Sequence, residues 1–524
     1  MLYLTNDLGL LPFFLPLGLI GFYRYLWYAI KLLAWGIYRP VRPSENPTYT
    51  SYKDVTIIVP TIDAGDEFKI AARSWLACRP KEIIIVTETK MRKALEELAN
   101  EVDPGRIRVR TVPRANKRLQ MIEGINATTT EILVFADDDA IWKPTMLDYI
   151  LCCFEDLKMG GVGTSQKVHA INLNGHQTVW EVLAGFRLTI RNIEVAASTH
   201  IDGGVCCLSG RTAAYRTLIL KDPAFQYGFQ NDLWLGKYPL NSGDDKYLTR
   251  WMVSHGWNTH IQVTPEAELS STFKDNWHFL KQVLRWTRNT WRSDFRSLFT
   301  ERYIWYRYPY VAFTMLDKML NPFTLLSGPI LVAVFSSGQK DQPNALPGWN
   351  IAISYILWLL LTRTVKLLPH FLKRPQDIIW IPAWLAFNYY FAIMKIYALF
   401  TLHEVGWGTR AGVATGLAAD IAKEKDNSIE PSSSSDSSDT VQIPMTHLDG
   451  RDDYSDRPYP HHRLSLSLPD DFDYAMSPQE QQRPPYPENE PRPDSIDLGT
   501  DGRALPYSND FSRPRIPIYQ QWTS

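Results

Sequence analysis

Cysteine is scarce in this chain of 524 residues. Five cysteines are present, and an odd number argues against a secreted fold held together by disulfide bonds. They are Cys78, Cys152, Cys153, Cys206 and Cys207. No histidine or further cysteine accompanies them at zinc-site spacing, so we do not expect a zinc cluster. The net charge is only -1, which gives no reason to expect nucleic acid as a partner.

Basic residues are missing ahead of the first apolar run, residues 8–23. The positive residues all follow this run: Arg24, Lys31, Arg39 and Arg42. A secretory signal carries positive charge before its apolar core, so this order predicts an uncleaved membrane anchor over residues 1–45, followed by a cytoplasmic domain. Arg24 and Lys31 share a helix face, and we expect them to reach lipid headgroups rather than line a pore.

Aliphatic residues are few in the region of residues 420–524. This region instead contains 14 of the 35 prolines, together with serine and acidic runs. Such a composition cannot bury a hydrophobic core, so we predict a disordered tail.

Short β-branched runs separated by longer polar segments occupy residues 50–276. The four runs are residues 55–59, 83–87, 107–112 and 132–136. This alternation predicts an α/β domain with an open, mostly parallel sheet. Ligands of such sheets bind beyond the carboxyl ends of the strands, which directs attention to the residues that follow each run.

Three consecutive aspartates, Asp137 to Asp139, follow the fourth run. Like charges at such short range are unfavourable unless a cation lies among them. Asp137 and Asp139 point the same way in an extended turn and could share Mg²⁺ or Mn²⁺, with substrate phosphates and water completing the ligands. A solvated acidic turn or a helix N-cap would have the same sequence.

Two further charged clusters are candidates for the site. Asp244 and Asp245 stand at the entry to a predicted helix, where the helix dipole favours carboxylates, so capping alone could explain them. Asn116-Lys117-Arg118 follows the third run and could contact a phosphate, although a solvated turn would look the same.

Residues 277–298 form an amphipathic helix within a predicted interfacial region over residues 277–320. Its basic stripe consists of Lys281, Arg285, Arg288, Arg292 and Arg296. Its apolar stripe consists of Trp277, Leu280, Leu284, Trp291, Phe295 and Leu298. Gln282 and Trp286 share a third face that is free to meet another group. The alternative is a helix that only binds anionic lipid.

Three apolar segments follow within the predicted membrane region, residues 321–410. They are residues 323–336, 350–361 and 378–400. The first two, extended into their flanks, are expected to span a bilayer as a pair. Three full spans would place residues 407–410 on the outer side, away from a cytoplasmic nucleotide. We therefore predict that residues 378–400 form a broken interfacial helix around Pro382.

Together these motifs resemble the processive family 2 glycosyltransferases, namely the hyaluronan, chitin and cellulose synthases, and most closely the fungal capsule-type polysaccharide synthases. The resemblance rests on four features: Lys117, the DxD motif of residues 137–139 after a strand, Gly243-Asp244-Asp245, and the Gln-x-x-Arg-Trp motif of residues 282–286 on the interfacial helix. Two further segments match hyaluronan synthases: Cys207-Leu208-Ser209-Gly210 with Tyr215-Arg216, and Ala398-Leu399-Phe400-Thr401 running into Gly406-Trp407-Gly408-Thr409-Arg410. The resemblance implies a Rossmann-like GT-A domain embedded between transmembrane helices.

The family resemblance also implies roles for individual residues around a UDP-sugar donor and a growing polysaccharide acceptor. Asp137 would hold the ribose or the metal, Asp139 the metal, and Lys117 the diphosphate. Asp245 would be the general base, next to Asp244 in the substrate-binding set. Arg285 would stabilise the leaving diphosphate. The residues implied in acceptor positioning, acceptor binding and gating are Gln282, Trp286, Cys207, Trp407 and Arg410.

Three segments depart from the family pattern. Glu88 stands where members usually have an aspartate that holds the base, and we expect it to substitute. Ile62-Asp63-Ala64 replaces the aromatic-Asn-Glu after the first strand. Arg211 begins a segment that is more apolar in the family, which leaves the identity of the acceptor open.

The resemblance predicts a plasma-membrane enzyme that polymerises a cell-surface or cell-wall polysaccharide in contact with membrane lipids. A non-processive relative, such as a ceramide glucosyltransferase, and a catalytically inactive membrane scaffold are the alternatives. The sugar itself depends on pocket shape, which the motifs do not specify. Within the basic stripe, the sequence predicts that Arg285→Ala abolishes transfer and that Arg296→Ala is tolerated.

Overall fold

A computed structural model describes residues 3–4, 13–62, 65–170, 177–274, 276–338 and 347–405. All of these described residues belong to one compact unit. The predicted disordered tail, 420–524, lies outside the described residues.

The strands are β1 (Tyr3–Leu4), β2 (Phe13–Phe14), β3 (Val55–Pro60), β4 (Glu82–Glu88), β5 (Ile107–Val112), β6 (Ile132–Ala136), β7 (Ala140–Ile141), β8 (Met159–Thr164), β9 (Gln166–Val168), β10 (Thr212–Arg216), β11 (Leu233–Trp234), β12 (Tyr238–Pro239), β13 (Asn258–Gln262) and β14 (Leu269–Ser271). The four β-branched runs of the sequence correspond to β3, β4, β5 and β6.

The helices are α1 (Leu15–Ile37), α2 (Ser51–Asp54), α3 (Asp66–Ala77), α4 (Arg92–Val102), α5 (Lys117–Ala127), α6 (Met146–Leu151), α7 (Val179–Ile201), α8 (Thr217–Leu220), α9 (Pro223–Gln230), α10 (Asp244–Ser254), α11 (His278–Phe295), α12 (Tyr303–Arg307), α13 (Pro309–Gly338), α14 (Gly348–Lys366), α15 (Leu368–Phe371) and α16 (Ile381–Phe400). A π-helical turn, Arg296–Glu301, continues α11.

The central sheet has seven strands in the order β13-β8-β10-β6-β3-β4-β5. β3 pairs in parallel with β4 and β6, and β4 pairs in parallel with β5. β10 runs antiparallel to both β6 and β8. The prediction of an α/β domain with a mostly parallel sheet is therefore confirmed. The carboxyl ends of the parallel strands meet at one edge, as the sequence pattern required.

Two hydrophobic cores cover the two faces of this sheet. Ile57 and Val59 of β3 belong to one core, whereas Ile58 belongs to the other, and all three are fully buried. Burying a side chain of this size contributes about 1.5–3 kcal/mol. The near-continuous apolar runs of the sequence thus reflect a sheet that is covered on both sides.

The N-terminal helix α1 packs against α7. Lys31 Nζ lies 2.9 Å from Glu194 Oε1 of α7. Arg24 donates a hydrogen bond to the Thr324 hydroxyl of α13. The expectation that these two cations reach lipid headgroups is therefore wrong. Inside a helical bundle, a carboxylate and a hydroxyl replace the headgroups as their partners.

Two segments of the described chain are long and apolar enough to cross a membrane, Pro309–Ser337 and Pro375–Phe400. Residues 323–336 lie within the first of these segments, whereas residues 350–361 lie on α14, which is not one of them, so the spanning pair stays a prediction. The predicted break around Pro382 is wrong. Helix α16 is continuous, with Pro382 in its first turn, where the missing N–H disturbs no helical hydrogen bond.

Candidate active site

The three aspartates after β6 point to three different partners. Asp137 accepts from Lys117 Nζ at 2.9 Å, and its backbone N–H donates to the Arg211 carbonyl at 3.0 Å. Asp138 accepts from the Thr61 hydroxyl, 2.6 Å away at the end of β3. Asp139 accepts from two hydroxyls at the end of β14, those of Ser271 at 3.1 Å and Thr272 at 3.2 Å. The three neighbouring carboxylates thus bind partners on three different elements at this edge of the sheet.

Lys117 joins the two acidic clusters of the sequence. It is the first residue of α5, whose N-cap Asn116 accepts from the backbone N–H of Arg118. The Lys117 ammonium lies 2.9 Å from Asp137 Oδ1 and 3.3 Å from Asp244 Oδ2. Burial disfavours the charged ammonium, but the charges of Asp137 and Asp244 outweigh it and raise the pKa of Lys117. Lys117 is therefore a fixed positive charge between them.

Asp244 and Asp245 form the first turn of α10. Gly243 precedes them with φ of 81°, a left-handed conformation that favours glycine. Burial alone would raise the pKa of Asp244, but the charges of Lys117 and Arg118 outweigh it and lower that pKa. Burial and the neighbouring charge of Asp244 raise the pKa of Asp245. The two carboxylates therefore differ: one is an ion-pair partner, and the other has the greater proton affinity that suits a general base.

The segment 207–210 lies against this turn. The Cys207 thiol forms a hydrogen bond with Asp245, and burial followed by the Asp245 charge raises the pKa of the thiol. The backbone N–H of Leu208 donates to the Thr249 hydroxyl of α10 at 2.9 Å. A Cβ at Gly210 would stand 3.4 Å from Asp244 Oδ2 and 3.8 Å from Lys117 Nζ. Glycine at this position keeps the space above the carboxylates open.

Helix α11 brings the Gln-x-x-Arg-Trp residues to the same place. Burial lowers the pKa of Arg285, and the negative charges of Asp244, Asp137 and Asp245 act against that shift. The Trp286 ring packs edge-on against Phe273, with centroids 6.4 Å apart. Across the described residues, the buried Gln282 Oε1 accepts no hydrogen bond.

Comparisons with known proteins identify the family of this chain. The family described as "Glycosyltransferase like family 2" matches residues 53–289. A "Type 2 glycosyltransferase" of Gibberella zeae is 38% identical over 76% of this chain and 76% of its own length. One of Zymoseptoria tritici is 40% identical, over 74% and 82% respectively. The chain belongs to the family 2 glycosyltransferases. Human "Hyaluronan synthase 3" is 25% identical over 60% of this chain and 56% of its own length.

Three arginines of the basic stripe of α11 bind other residues of this glycosyltransferase. Arg288 pairs with Glu404 at 2.5 Å, and Arg292 donates to the carbonyls of Leu402 at 3.0 Å and Glu404 at 2.5 Å. Arg296 forms an ion pair with Asp232. The alternative of a helix that only binds anionic lipid is therefore wrong for these three arginines. The apolar stripe, in turn, contacts α16, where the Trp291 indole donates to the Lys395 carbonyl at 2.9 Å.

Several predicted residues do not join the cluster. Glu88 lies at the end of β4, where its described ion pair is with Lys90 at 2.5 Å. Arg118 pairs with buried Asp232 at 2.9 Å, so in the described part of the chain Lys117, and not Arg118, forms ion pairs with Asp137 and Asp244. Trp407 and Arg410 lie outside the described residues, as do positions 63–64 of the departing segment after the first strand.

The residues present fit a divalent cation. Burial raises the pKa of Asp139, whose described hydrogen bonds come only from hydroxyls. A buried carboxylate without an ion-pair partner is costly, and a cation at this point would remove that cost. No group of three or more metal-ligating side chains occurs among the described residues. Two carboxylates nevertheless suffice for Mg²⁺ when phosphates and water supply the other ligands.

Two residues at the site, Asn289 and Arg211, were not predicted from the sequence as site residues. Asn289 accepts from the Ser242 hydroxyl at 3.1 Å and thereby supports the turn before α10. It lies four residues after Arg285 on the same helix face, and this spacing could have revealed it. Arg211 appeared only as a departure from the family pattern. Its guanidinium lies 4.1 Å from the Phe273 ring centroid and 5.4 Å from that of Trp286.

Proposed function

We propose that this chain is an inverting, membrane-embedded glycosyltransferase that polymerises a polysaccharide from a UDP-sugar. The observation that carries the proposal is the convergence of two carboxylates with a cation at the start of α10: Asp244 lies 3.3 Å from the Lys117 ammonium, which also binds Asp137 at 2.9 Å, and the adjacent Asp245 carboxylate is hydrogen-bonded to the Cys207 thiol. The charges of these carboxylates also act on the Arg285 guanidinium. A hydroxyl nucleophile needs a base, and a diphosphate leaving group needs cations. This site contains a carboxylate that can act as the base and cations that can stabilise the diphosphate.

The chemistry is a single displacement. Asp245 accepts the proton of the acceptor hydroxyl, the hydroxyl oxygen bonds to the anomeric carbon, and the bond from that carbon to the diphosphate breaks. Attack from the face opposite the leaving group inverts the anomeric carbon. Lys117 and Arg285 stabilise the negative charge that develops on the departing UDP.

Asp137 and Asp139 would hold Mg²⁺ or Mn²⁺. When bound, this ion supplies further positive charge to the diphosphate. Lys117 is already an ion-pair partner of Asp137, so the ion would be a second cation beside that carboxylate.

The acceptor approaches from the helical side of the site. Gln282 offers a buried carbonyl oxygen without a described donor, which suits a sugar hydroxyl, and Trp286 offers an aromatic face to a sugar ring. The Cys207 thiol is hydrogen-bonded to Asp245 and would lie next to the acceptor hydroxyl. The gating role of Trp407 and Arg410 belongs to the same proposal, as does the role of Glu88.

Membrane residence is supported by apolar surface as well as by the two candidate spans. Exposed apolar side chains follow the outer faces of α1 and α14: Leu19, Phe22, Leu26, Leu33, Ile353, Ile356, Leu357 and Leu361. Water disfavours so many large apolar groups, whereas lipid accepts them. We place the enzyme in the plasma membrane with its catalytic domain in the cytoplasm and its product passing outward.

The decisive experiment uses the full chain in lipid nanodiscs with a panel of UDP-sugars and Mg²⁺ or Mn²⁺. We expect UDP release with at least one sugar and a product of many units on a sizing gel. A lipid that carries a single sugar would refute polymerisation and favour a glycolipid-forming enzyme. UDP release from no sugar, with Asp245→Asn indistinguishable from the parent in a cellular assay, would indicate a scaffold.

A further inference from the structure

Asn289 joins helix α11 to the turn that precedes the two aspartates of α10. Its Oδ1 accepts from the Ser242 hydroxyl at 3.1 Å. A Cβ at the next residue, Gly243, would stand 3.4 Å from Asn289 Cγ, so the amide also packs against the backbone of this turn. Ser242 and Gly243 directly precede Asp244 and Asp245. Asn289 therefore contacts both residues that lead into the first turn of α10.

Arg292 fixes the orientation of the Asn289 amide. Its Nη1 donates to the same Asn289 Oδ1 at 3.0 Å. An amide oxygen has two lone pairs, and here the Ser242 hydroxyl and the Arg292 guanidinium use both. Arginine has no acceptor, so the atom that faces it is the amide oxygen rather than the amide nitrogen. The direction of the Asn289 side chain is thereby defined.

Arg292 is itself held by the segment that follows α16. Its Nε donates to the Leu402 carbonyl at 3.0 Å, and its Nη2 donates to the Glu404 carbonyl at 2.5 Å. Helix α16 ends at Phe400, so both carbonyls lie just beyond its end. A continuous path of hydrogen bonds therefore runs from the end of α16 through Arg292 and Asn289 to the turn before α10.

Stability alone does not account for the burial of Arg292. The residue is only 3% exposed, and in the described part of the chain no carboxylate oxygen lies within 4.0 Å of its guanidinium. A buried cation whose partners are neutral oxygens is costly, and an apolar side chain of similar volume would stabilise the fold as well or better. The directed hydrogen bonds of Arg292 thus point to a role in placing other groups.

Two groups of the site could respond to this path: Arg285, one turn before Asn289 on α11, and Asp245. The backbone that carries Arg285 is helical and packs against α16, so loss of one side-chain hydrogen bond leaves it in place. The turn before Asp245 has no helical hydrogen bonds of its own, and Gly243 in it has φ of 81°. This turn is the element that would shift, and Asp245 would shift with it.

We propose that Asn289 and Arg292 are positioning residues for Asp245, and that they hold this carboxylate in place from the end of α16. The inference rests on the proposed function, because it requires Asp245 to be the general base. A base acts only within hydrogen-bond reach of the acceptor hydroxyl, and a displacement of about 1 Å costs up to about 100-fold in rate. Helix α16 belongs to a candidate membrane span, so the path links that span to proton transfer rather than to donor binding.

The test uses the full chain in lipid nanodiscs with a UDP-sugar that the parent protein turns over. It measures kcat for UDP release and, separately, the affinity for UDP with Mg²⁺. The variants are Asn289→Ala, Asn289→Asp, Arg292→Gln, Ser242→Ala and the double variant that combines Ser242→Ala with Asn289→Ala.

Arg307→Gln is the matched control. Arg307 Nη2 donates to the Gly256 carbonyl at 2.6 Å and to Asn258 Oδ1 at 2.9 Å. It thus makes the same kinds of hydrogen bond as Arg292, to a backbone carbonyl and to an asparagine oxygen, but near the opposite end of α10. Its loss should weaken the fold without displacing the first turn of that helix.

We expect Asn289→Ala and Arg292→Gln to lower kcat by about 10–100-fold, whereas Arg307→Gln should stay within about twofold of the parent. Affinity for UDP should stay within about twofold in all of these variants. The physical reason is that Lys117 keeps Asp137 as a partner 2.9 Å away when the turn shifts.

The conservative and double variants distinguish placement from a general structural role. Asn289→Asp should regain most of the rate, because a carboxylate oxygen accepts the same two hydrogen bonds. Ser242→Ala should lower kcat in the same direction as Asn289→Ala. The double variant should be no slower than Asn289→Ala alone, because the Ser242 hydroxyl then has no partner to lose.

An unchanged kcat in Asn289→Ala, or in Ser242→Ala if the larger changes prevent folding, would overturn the inference. Equal losses in Arg307→Gln and Arg292→Gln would overturn it too, since the cause would then be general destabilisation. Additive losses in the double variant would contradict a single path and have the same consequence. A parent protein that releases no UDP from any UDP-sugar would refute the proposed function and the inference together, which distinguishes this failure from the others.

Discussion

Asp244 and Asp245 are adjacent, yet asparagine at each position should affect a different property. Asp244 Oδ2 lies 3.3 Å from Lys117 Nζ, and their side chains are 10% and 14% exposed respectively. Asp245 accepts from its neighbour's backbone N–H at 2.8 Å and from the Cys207 thiol. Asp244 therefore stabilises the site, whereas Asp245 is a half-buried carboxylate with no described ion pair to a side chain.

Removing one partner of a buried ion pair costs about 3–5 kcal/mol when the other charge is left alone. Lys117 keeps Asp137 at 2.9 Å, so we expect Asp244→Asn to lower the free energy of unfolding by about 1–3 kcal/mol. Asp245→Asn removes a carboxylate whose charged form is disfavoured by burial and by Asp244. Its free energy of unfolding should stay the same or rise, while kcat falls by about 10²–10⁴-fold with the loss of the base.

The assay compares UDP release and thermal unfolding of the two variants in the same nanodiscs, with UDP binding as the check on an intact donor site. We expect Asp245→Asn to bind UDP as the parent does. Retention of UDP release within about tenfold of the parent would refute the assignment of Asp245 as base, because general bases contribute more than that. A larger loss of stability in Asp245→Asn than in Asp244→Asn would refute the ion-pair reasoning.

Three other predictions concern the same elements. Protonation of Asp245 inactivates the base, so kcat/KM should rise with pH through a midpoint above the ordinary aspartate value of about 3.9, and a pH–rate profile measures this shift. Gly243→Ala should cost about 1–2 kcal/mol in chemical unfolding, because alanine disfavours φ of 81°, whereas a cost near zero would contradict the left-handed turn. Arg296→Ala should lower stability by about 1–3 kcal/mol through loss of its bond to buried Asp232, while the folded variant keeps the sugar transfer that the sequence predicts, and unchanged unfolding would contradict the importance of this ion pair.

Local patterns predicted the parts of the site that depend on neighbours in sequence. The apolar run of residues 132–136 predicted the buried strand that Asp137 follows. The three- and four-residue spacing of Gln282, Arg285 and Trp286 places them together on α11. Patterns failed where partners come from distant elements. Lys31 appeared free to reach lipid, yet Glu194 of α7 binds it, and Pro382 appeared to break a helix that it in fact begins.

By itself, the sequence determined the parallel sheet, the acidic edge and the family, because hydrophobic periodicity and motif spacing are local properties. Only the tertiary structure decided that Lys117 bridges Asp137 and Asp244, and that Arg288, Arg292 and Arg296 bind protein rather than lipid alone. It also decided which of two adjacent aspartates has the raised pKa. Strand order and burial set the distance and the dielectric between charges, and these depend on long-range packing that local periodicity does not encode.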